Sequence, residues 1–276
     1  MCFVVQEMKR PQLALALLLN LAWTGASGAA PAWPSMITND PPGNFPPLRP
    51  LEATYRFGWA GFTAGAGQVH FTHPVSSRFE FTGTGGTIGF VRALWKMDVN
   101  HRAFADAATL RPIEMKQVES YRRKKLVTQL AFTNKGVERT RNERPSSSGP
   151  STKQFDFPNL FDMHSAALYL RSQSLSVGSV YRIVVYPATS AYFATLTVIG
   201  HEAISVHAGS YQAIKIDLHL NKVGKNLELE PHKKFRRATL WVSDDSDRIL
   251  LRIEAQIFVG TVFAELQSIK FDHTKS

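Results

Sequence analysis

The chain has almost no thiol chemistry to offer. Its one cysteine, Cys2, precedes Lys9, Arg10 and an apolar run from Leu13 to Leu21 that only Asn20 interrupts. Small residues follow at Ala26, Ser27, Gly28, Ala29 and Ala30. A basic start, a short apolar stretch and a small-residue zone are the parts of a secretory signal peptide. The sequence therefore predicts a signal peptide over residues 1–30, cleaved near Ala29 or Ala30. An uncleaved anchoring helix is the alternative, but a span needs about 20 apolar residues, and Leu13 to Trp23 is shorter than that. Removal of Cys2 with the signal would exclude disulfides, cysteine metal sites and cysteine nucleophiles in one step. It would equally exclude a lipid-bearing cysteine directly after the signal. Long hydrophobic runs are also missing from the rest of the chain, so no transmembrane span is expected after cleavage. The expected destination is the periplasm.

Acidic residues are in deficit. The formal net charge is +10, and Glu7, Lys9 and Arg10 account for one net positive charge of it, leaving about +9 after cleavage. A basic balance favours anionic partners such as lipid head groups, phosphorylated glycans or nucleic acid. Export makes nucleic acid the least suitable of these, and no nucleic-acid partner is expected.

Residues 31–50 are rich in proline, with Pro41, Pro42, Pro46 and Pro47 close together, and read as an extended lead-in. From Leu51 the pattern changes to period two: Leu51, Ala53, Tyr55 and Phe57 alternate with Glu52, Thr54 and Arg56. That is the pattern of a half-buried strand. It recurs in Ile214, Ile216, Leu218 and Leu220, again in Leu251, Ile253, Ala255 and Ile257, and in shorter versions from Val69 to Leu266. Turn residues such as Gly209, Gly224 and the run Ser243 to Asp247 separate these stretches. Many short strands with one wet face predict an all-β, mainly antiparallel protein, a single β domain over residues 51–273.

Two segments depart from period two. Leu160, Met163, Ala167 and Leu170 share a helical face over residues 159–172, with Asn159 able to cap the start. Residues 87–97 place Ile88, Val91 and Trp95 on one face of a shorter helix. Residues 141–152, with Pro145, Ser146, Ser147, Ser148, Gly149 and Pro150, have the composition of a mobile surface loop. On either side of it, Thr109 to Glu114 and Leu250 to Glu254 echo one another, each a strand with basic and acidic residues after an aspartate-bearing turn. Two similar halves sharing one core would produce that echo, and so would chance between amphipathic strands.

The second half also carries a resemblance. Asp162, Ser165, Ala166, Tyr169, Leu170 and Arg171, then Val177-Gly178, Ala208-Gly209 with Tyr211 and Ala213, the run Leu240 to Asp245, and Val259-Gly260 with Ala264-Glu265-Leu266 resemble a bacterial family of unknown function, domain 3108. The resemblance covers roughly Leu51 to Phe271. It implies an exported envelope protein of antiparallel β fold, with no agreed activity, cofactor or catalytic residue. The tryptophan strand, aspartate turn and basic-acidic strand are also similar to the curved half-barrels of the lipoprotein-carrier superfamily, an analogy of fold that does not fix function. Pro112 has Leu250 at the comparable place in the second half, which departs from an exact repeat.

Motifs of catalysis are scarce. Asp244, Asp245 and Asp247 could hold calcium but lack the glycine and distal glutamate of an EF-hand loop, and they read as a turn. Asp162, His164 and Ser165 are too close on one helix to converge on a reacting atom, and read as a helix-surface acid and a packing histidine. His201 and His207, like His70 and His73, have no zinc-site spacing. Asp217, Glu254 and Glu265 could supply a carboxylate pair, but solvent-facing strand acids are common. The glycine stretches 58–67 and 83–89 contain no phosphate loop and read as bulges and hairpins that let a sheet curve.

The strongest signal is cationic. Arg122, Arg123, Lys124 and Lys125 form one run, and Lys233, Lys234, Phe235, Arg236 and Arg237 form another. On one face they would attract phosphates of lipid heads or acidic glycans; as edge residues they would guard strands from aggregation. The sequence thus predicts a non-enzymatic periplasmic protein with no cofactor and no metal, binding a lipid or other hydrophobic ligand within a curved sheet. A scaffold of the envelope and an envelope-glycan hydrolase are the alternatives.

Overall fold

The computed structural model describes residues 32–146, 149–231, 237–257 and 260–272. The expected signal segment lies outside them, as do Ser147 and Ser148 of the serine-rich loop.

Period-two alternation becomes one antiparallel sheet. Its first half comprises β1 (Leu51–Trp59), β2 (Phe62–Val75), β3 (Arg78–Thr87), β4 (Met97–Asp106), β5 (Pro112–Tyr121), β6 (Lys125–Thr133), β7 (Gly136–Arg144) and β8 (Ser151–Asp156). The second comprises β9 (Val180–Val185), β10 (Tyr192–Val206), β11 (Gly209–Val223), β12 (Leu229–Pro231), β13 (Arg237–Ser243), β14 (Leu250–Ile257) and β15 (Gly260–Phe271). The spatial order is β8-β7-β6-β5-β4-β3-β2-β1-β15-β14-β13-β11-β10-β9, with the short β12 beside β11. Each half is a meander of neighbouring hairpins, and the first and last strands, β1 and β15, join the halves by pairing Leu51 with Phe271 and Trp59 with Val262.

The sheet is curved like a half-barrel and is not closed by strand pairing. Helix α2 (Met163–Ser172) touches both β4 and β9, although these lie far apart in the strand order. Just before α2, Phe161 bridges to Val185 on β9. The two edges approach through side chains: Phe155 on β8 packs against the Tyr186 ring at 5.9 Å, and Arg139 on β7 donates to the Thr189 carbonyl at 2.9 Å. Curvature of this kind needs bulges, and register shifts occur in the β1–β15, β1–β2, β10–β11 and β13–β14 pairs, among others.

One core joins the two halves, with Phe71, Phe81, Met115, Leu130 and Val137 of the first and Phe193, Leu251 and Leu266 of the second. A second forms where Phe161, Tyr169 and Leu170 meet Ile183, Val198, Ile214 and Ile216. Removing such aliphatic and aromatic surface from water is the dominant favourable contribution, roughly 25 cal/mol per Å2.

Several expectations need correction. The helix predicted over 159–172 starts later, because Asp162 rather than Asn159 is its N-cap: the Asp162 carboxylate accepts from the Ser165 N–H at 2.7 Å, and the Ser165 hydroxyl accepts from the Asp162 N–H at 3.0 Å. Asn159 instead takes a left-handed conformation, φ 59°, one turn earlier. Asp162 is therefore a buried capping group and not a helix-surface acid. The loop predicted over 141–152 is shorter, since β7 and β8 extend into it from both sides. The proline-rich lead-in docks on the domain: a 3-10 turn, Trp33–Met36, buries Trp33 between the Phe157 and Phe193 rings, and the Trp33 indole N–H donates to the Leu227 carbonyl. The short helix over 87–97 narrows to α1 (Gly89–Leu94), with Ile88 and Trp95 as its exposed capping residues.

Candidate functional site: the uncovered core face and the basic turn

Helix α2 covers only part of the core face of the sheet. Beyond its reach, Leu240, Ile253, Ala264 and Phe57 are successive cross-strand neighbours on β13, β14, β15 and β1. Ala264 and Phe57 are two residues along from buried Leu266 and core-packed Tyr55, so alternation puts them on the core side. Yet Leu240, Ile253 and Ala264 are half-buried and Phe57 is 42% exposed. Leu218 and Leu220 on β11 continue the same half-buried apolar surface. On the other side of β1 the surface becomes shallow, because Gly67 and Gly85 face each other on β2 and β3. A Cβ on Gly67 would come within 2.9 Å of the Thr84 carbonyl and 3.0 Å of the Phe57 ring, so the ring packs into the space that the missing side chain leaves.

At the level where α2 meets β4, the core face turns polar. His164 Nε2 and His101 Nε2 are 2.8 Å apart, and the His164 ring stacks on Phe81 with centroids 4.7 Å apart. Burial pushes both imidazoles down to about 4, so each is neutral near pH 7 and opposite tautomers supply one donor and one acceptor. Burial raises the Asp162 carboxyl beside them, against the hydrogen bonds from Ser165 that lower it. The sequence reading of His164 as a packing residue holds, but its partner, 63 residues away, left no sequence signal.

The acids considered for hydrolysis are engaged by cations. Glu265 is 3% exposed and lies between Arg56 and Arg252, with Arg56 Nη2 at 2.8 Å. Asp217 is buried and pairs with Arg237 at 2.5 Å and His219 at 2.9 Å. Neither is the solvent-facing strand acid that alternation predicted, because long arginine side chains on neighbouring strands cover them. In the aspartate run, Asp245 accepts from Ser243, Asp247 and Arg248 as a turn residue, Asp247 is held by Arg49, and Asp244 pairs with His201.

The basic runs have separate fates. Arg122, Arg123 and Lys124 form the exposed β5–β6 turn, and Lys125 opens β6. Lys233, Lys234 and Arg236 lie outside the described residues, and Arg237 opens β13 in its pair with Asp217. The β5–β6 turn adjoins α1: Arg122 Nη2 donates to the Ala93 carbonyl at 2.6 Å, and Tyr121 stacks with Trp95 at 6.4 Å. A shallow depression of about 650 Å3 lies close by, over Thr54, Gln68, Thr84, Gly86 and Asn100. Its lining mixes these side chains with Tyr55, Ala66, Ile88 and Val99, and the Arg92–Asp98 ion pair is part of it, whereas the row across β13, β14, β15 and β1 carries no charged side chain.

A curved antiparallel sheet wrapped round one helix defines the class: a β-barrel-like, incompletely closed domain. The chain belongs to the family described as "Protein of unknown function (DUF3108)", which matches residues 54–267. Among solved structures it is similar to a β-barrel-like protein of domain of unknown function DUF1849 from Brucella abortus, at 12% identity and a TM-score of 0.59, covering 82% of this chain and 99% of that one. A protein with a YmcC-like fold from Bacteroides fragilis aligns over 82% of this chain and 98% of its own, at 13% identity and a TM-score of 0.31. No curated protein matches the chain. The first likeness shows the fold and nothing of function.

Proposed function

We propose that the protein is an exported periplasmic component of the cell envelope that binds a lipid or another hydrophobic ligand without transforming it. The observation that carries this reading is the half-exposed apolar row Leu240, Ile253, Ala264 and Phe57 on the core side of the sheet. A protein filled by its own side chains buries that side; here α2 stops short of it, and the glycines opposite leave the strand surface bare. Concave, mostly apolar surfaces with few polar groups are where hydrophobic ligands sit. The signal-like start supports export. Pairing of the candidate acids with arginines and histidine supports binding over hydrolysis, since a general acid or base must be free to exchange a proton with substrate.

The test is native mass spectrometry with lipid extraction on chain expressed with its own N-terminal segment and recovered from the periplasmic fraction. Co-purifying lipid that exchanges with added lipid, and is lost in Ala264→Trp while the thermal midpoint is kept, is the expected result. A clean apo mass that takes up no lipid on challenge overturns the ligand reading and favours the scaffold. Retention in the cytosol at full length overturns export.

A further inference from the structure

We propose that α1 and the β5–β6 turn form a lip that docks on an anionic lipid surface. The proposal shares with the reading above only its placement in the envelope; it does not need the core-face ligand. Helix α1 is short but firmly held. The Thr87 hydroxyl donates to the Trp95 carbonyl at 2.9 Å and accepts from the Met97 N–H at 3.1 Å, tying both sides of the helix together. Arg92 makes two bonds to Asp98, the Ile88 N–H donates to the Ala64 carbonyl at 3.0 Å, and Arg122 fastens the Ala93 carbonyl from outside.

What this frame presents is apolar. Phe90 is 76% exposed, Leu94 68% and Trp95 55%, and Phe62, at the neighbouring β1–β2 tip, is 75% exposed. Phe90 and Leu94 are four apart and so share one helix face. Large exposed apolar side chains grouped on a fixed support mark an interaction surface rather than incomplete burial.

Charge selects the occupant. Arg122, Arg123, Lys124 and Lys125 stand beside the apolar group, with Lys96 following the helix and Arg144 paired to Lys125 across β6–β7. Of the nearby acids, Asp98 pairs with Arg92, Glu143 with Lys124 at 3.4 Å, and Glu119 lies beside Tyr121, so the cations outnumber them. An apolar protein partner would be served by Phe90, Leu94 and Trp95 alone. Aromatic and leucine side chains beside a turn of four consecutive cations match the boundary between acyl chains and anionic head groups.

The experiment is co-sedimentation of the purified protein with phosphatidylcholine vesicles and with vesicles of equal parts phosphatidylcholine and phosphatidylglycerol, at low and high salt. The expected result is association with the anionic vesicles that salt weakens and that Phe90→Gln with Leu94→Gln reduces by at least about tenfold. Arg123→Glu with Lys125→Glu should abolish the preference for anionic vesicles. These side chains are exposed, so folding should survive; unchanged melting and unchanged lipid content by mass spectrometry verify that. Vesicle binding that the variants leave intact, or no vesicle binding at all, overturns the proposal. So does a dimer in light scattering that the Phe90 and Leu94 changes dissolve, which would assign the lip to a second copy of this chain. Docking by protein that carries no lipid would sustain this proposal while the ligand reading fails; lipid uptake without docking would do the reverse.

Discussion

His101 on β4 and His164 on α2 share one hydrogen bond, Nε2 to Nε2 at 2.8 Å, in a setting that keeps both neutral. The bond spans the curved sheet and its enclosed helix, so it links the protonation state of the interior to the position of α2.

Both imidazoles are held down to about 4, against an ordinary value of 6.5 that the unfolded chain would keep. As pH falls below about 6.5, the unfolded chain takes up these protons and the folded one does not, so stability is lost down to about pH 4 and levels off below it. The urea midpoint should fall steadily over that window. His101→Gln should flatten the slope by about half, because one of two titrating groups is gone. An equal slope in wild type and variant would show that other groups govern acid sensitivity.

Asp162 caps α2 through a reciprocal pair of bonds with Ser165. Asp162→Ala removes the acceptor for the Ser165 N–H and should cost about 1–2 kcal/mol, with Asp162→Asn recovering most of it. Chemical denaturation of the three proteins measures both effects. A loss for Asn as large as for Ala would mean that charge, not capping, is what matters.

Much of this architecture is legible in the sequence, and the illegible parts have physical causes. Ile214, Ile216 and Leu218 announce β11 because one of its faces is apolar along its length. Strand β4 passes unread because its core side carries Val99, His101, Ala103 and Ala105, small or polar residues suited to lying near a helix. Strand β8, Ser151–Asp156, is an edge strand with little apolar alternation, and β7 brings Arg139 into the interior. For α1 the spacing of Ile88, Val91 and Trp95 announces a short helix, but nothing in it signals that Phe90 and Leu94 are exposed to water. Exposure of Arg122 to Lys125 could be inferred from charge, but the contact between Arg122 and Ala93 joins residues 29 apart and has no local signature.

Glu265 is the hinge of a three-residue ion cluster, with Arg56 on β1 and Arg252 on β14 reaching it from both neighbouring strands. Two arginines hold its carboxylate below the usual range despite burial. Glu265→Gln would leave two guanidiniums facing each other across a neutral amide. Because Arg56 stays 40% exposed and Arg252 26%, solvent softens the penalty to about 2 kcal/mol. A double-mutant cycle with Arg252→Met would locate the coupling. No coupling would show that water screens the pair completely.

Trp33 gives the lead-in a structural duty that its proline-rich composition hides. The indole is buried against Phe157 and Phe193, and its N–H donates to the Leu227 carbonyl in the turn between β11 and β12. Further along the same segment, the Thr38 N–H donates to the Arg182 carbonyl on β9, and the Gly43 N–H donates to Ser172 at the end of α2. The segment therefore seals the far edge of the sheet and the end of its helix. Trp33→Ala removes the largest apolar group of that seal and should cost about 3–5 kcal/mol. Hydrogen exchange should report the loss in β9, β10 and α2 before it reaches β1 to β3, since Trp33, Thr38 and Gly43 meet the former, whereas the segment meets β2 at its other end, where Leu48 contacts His73. Uniform acceleration across the whole sheet would instead show that the lead-in stabilises the domain as one cooperative unit.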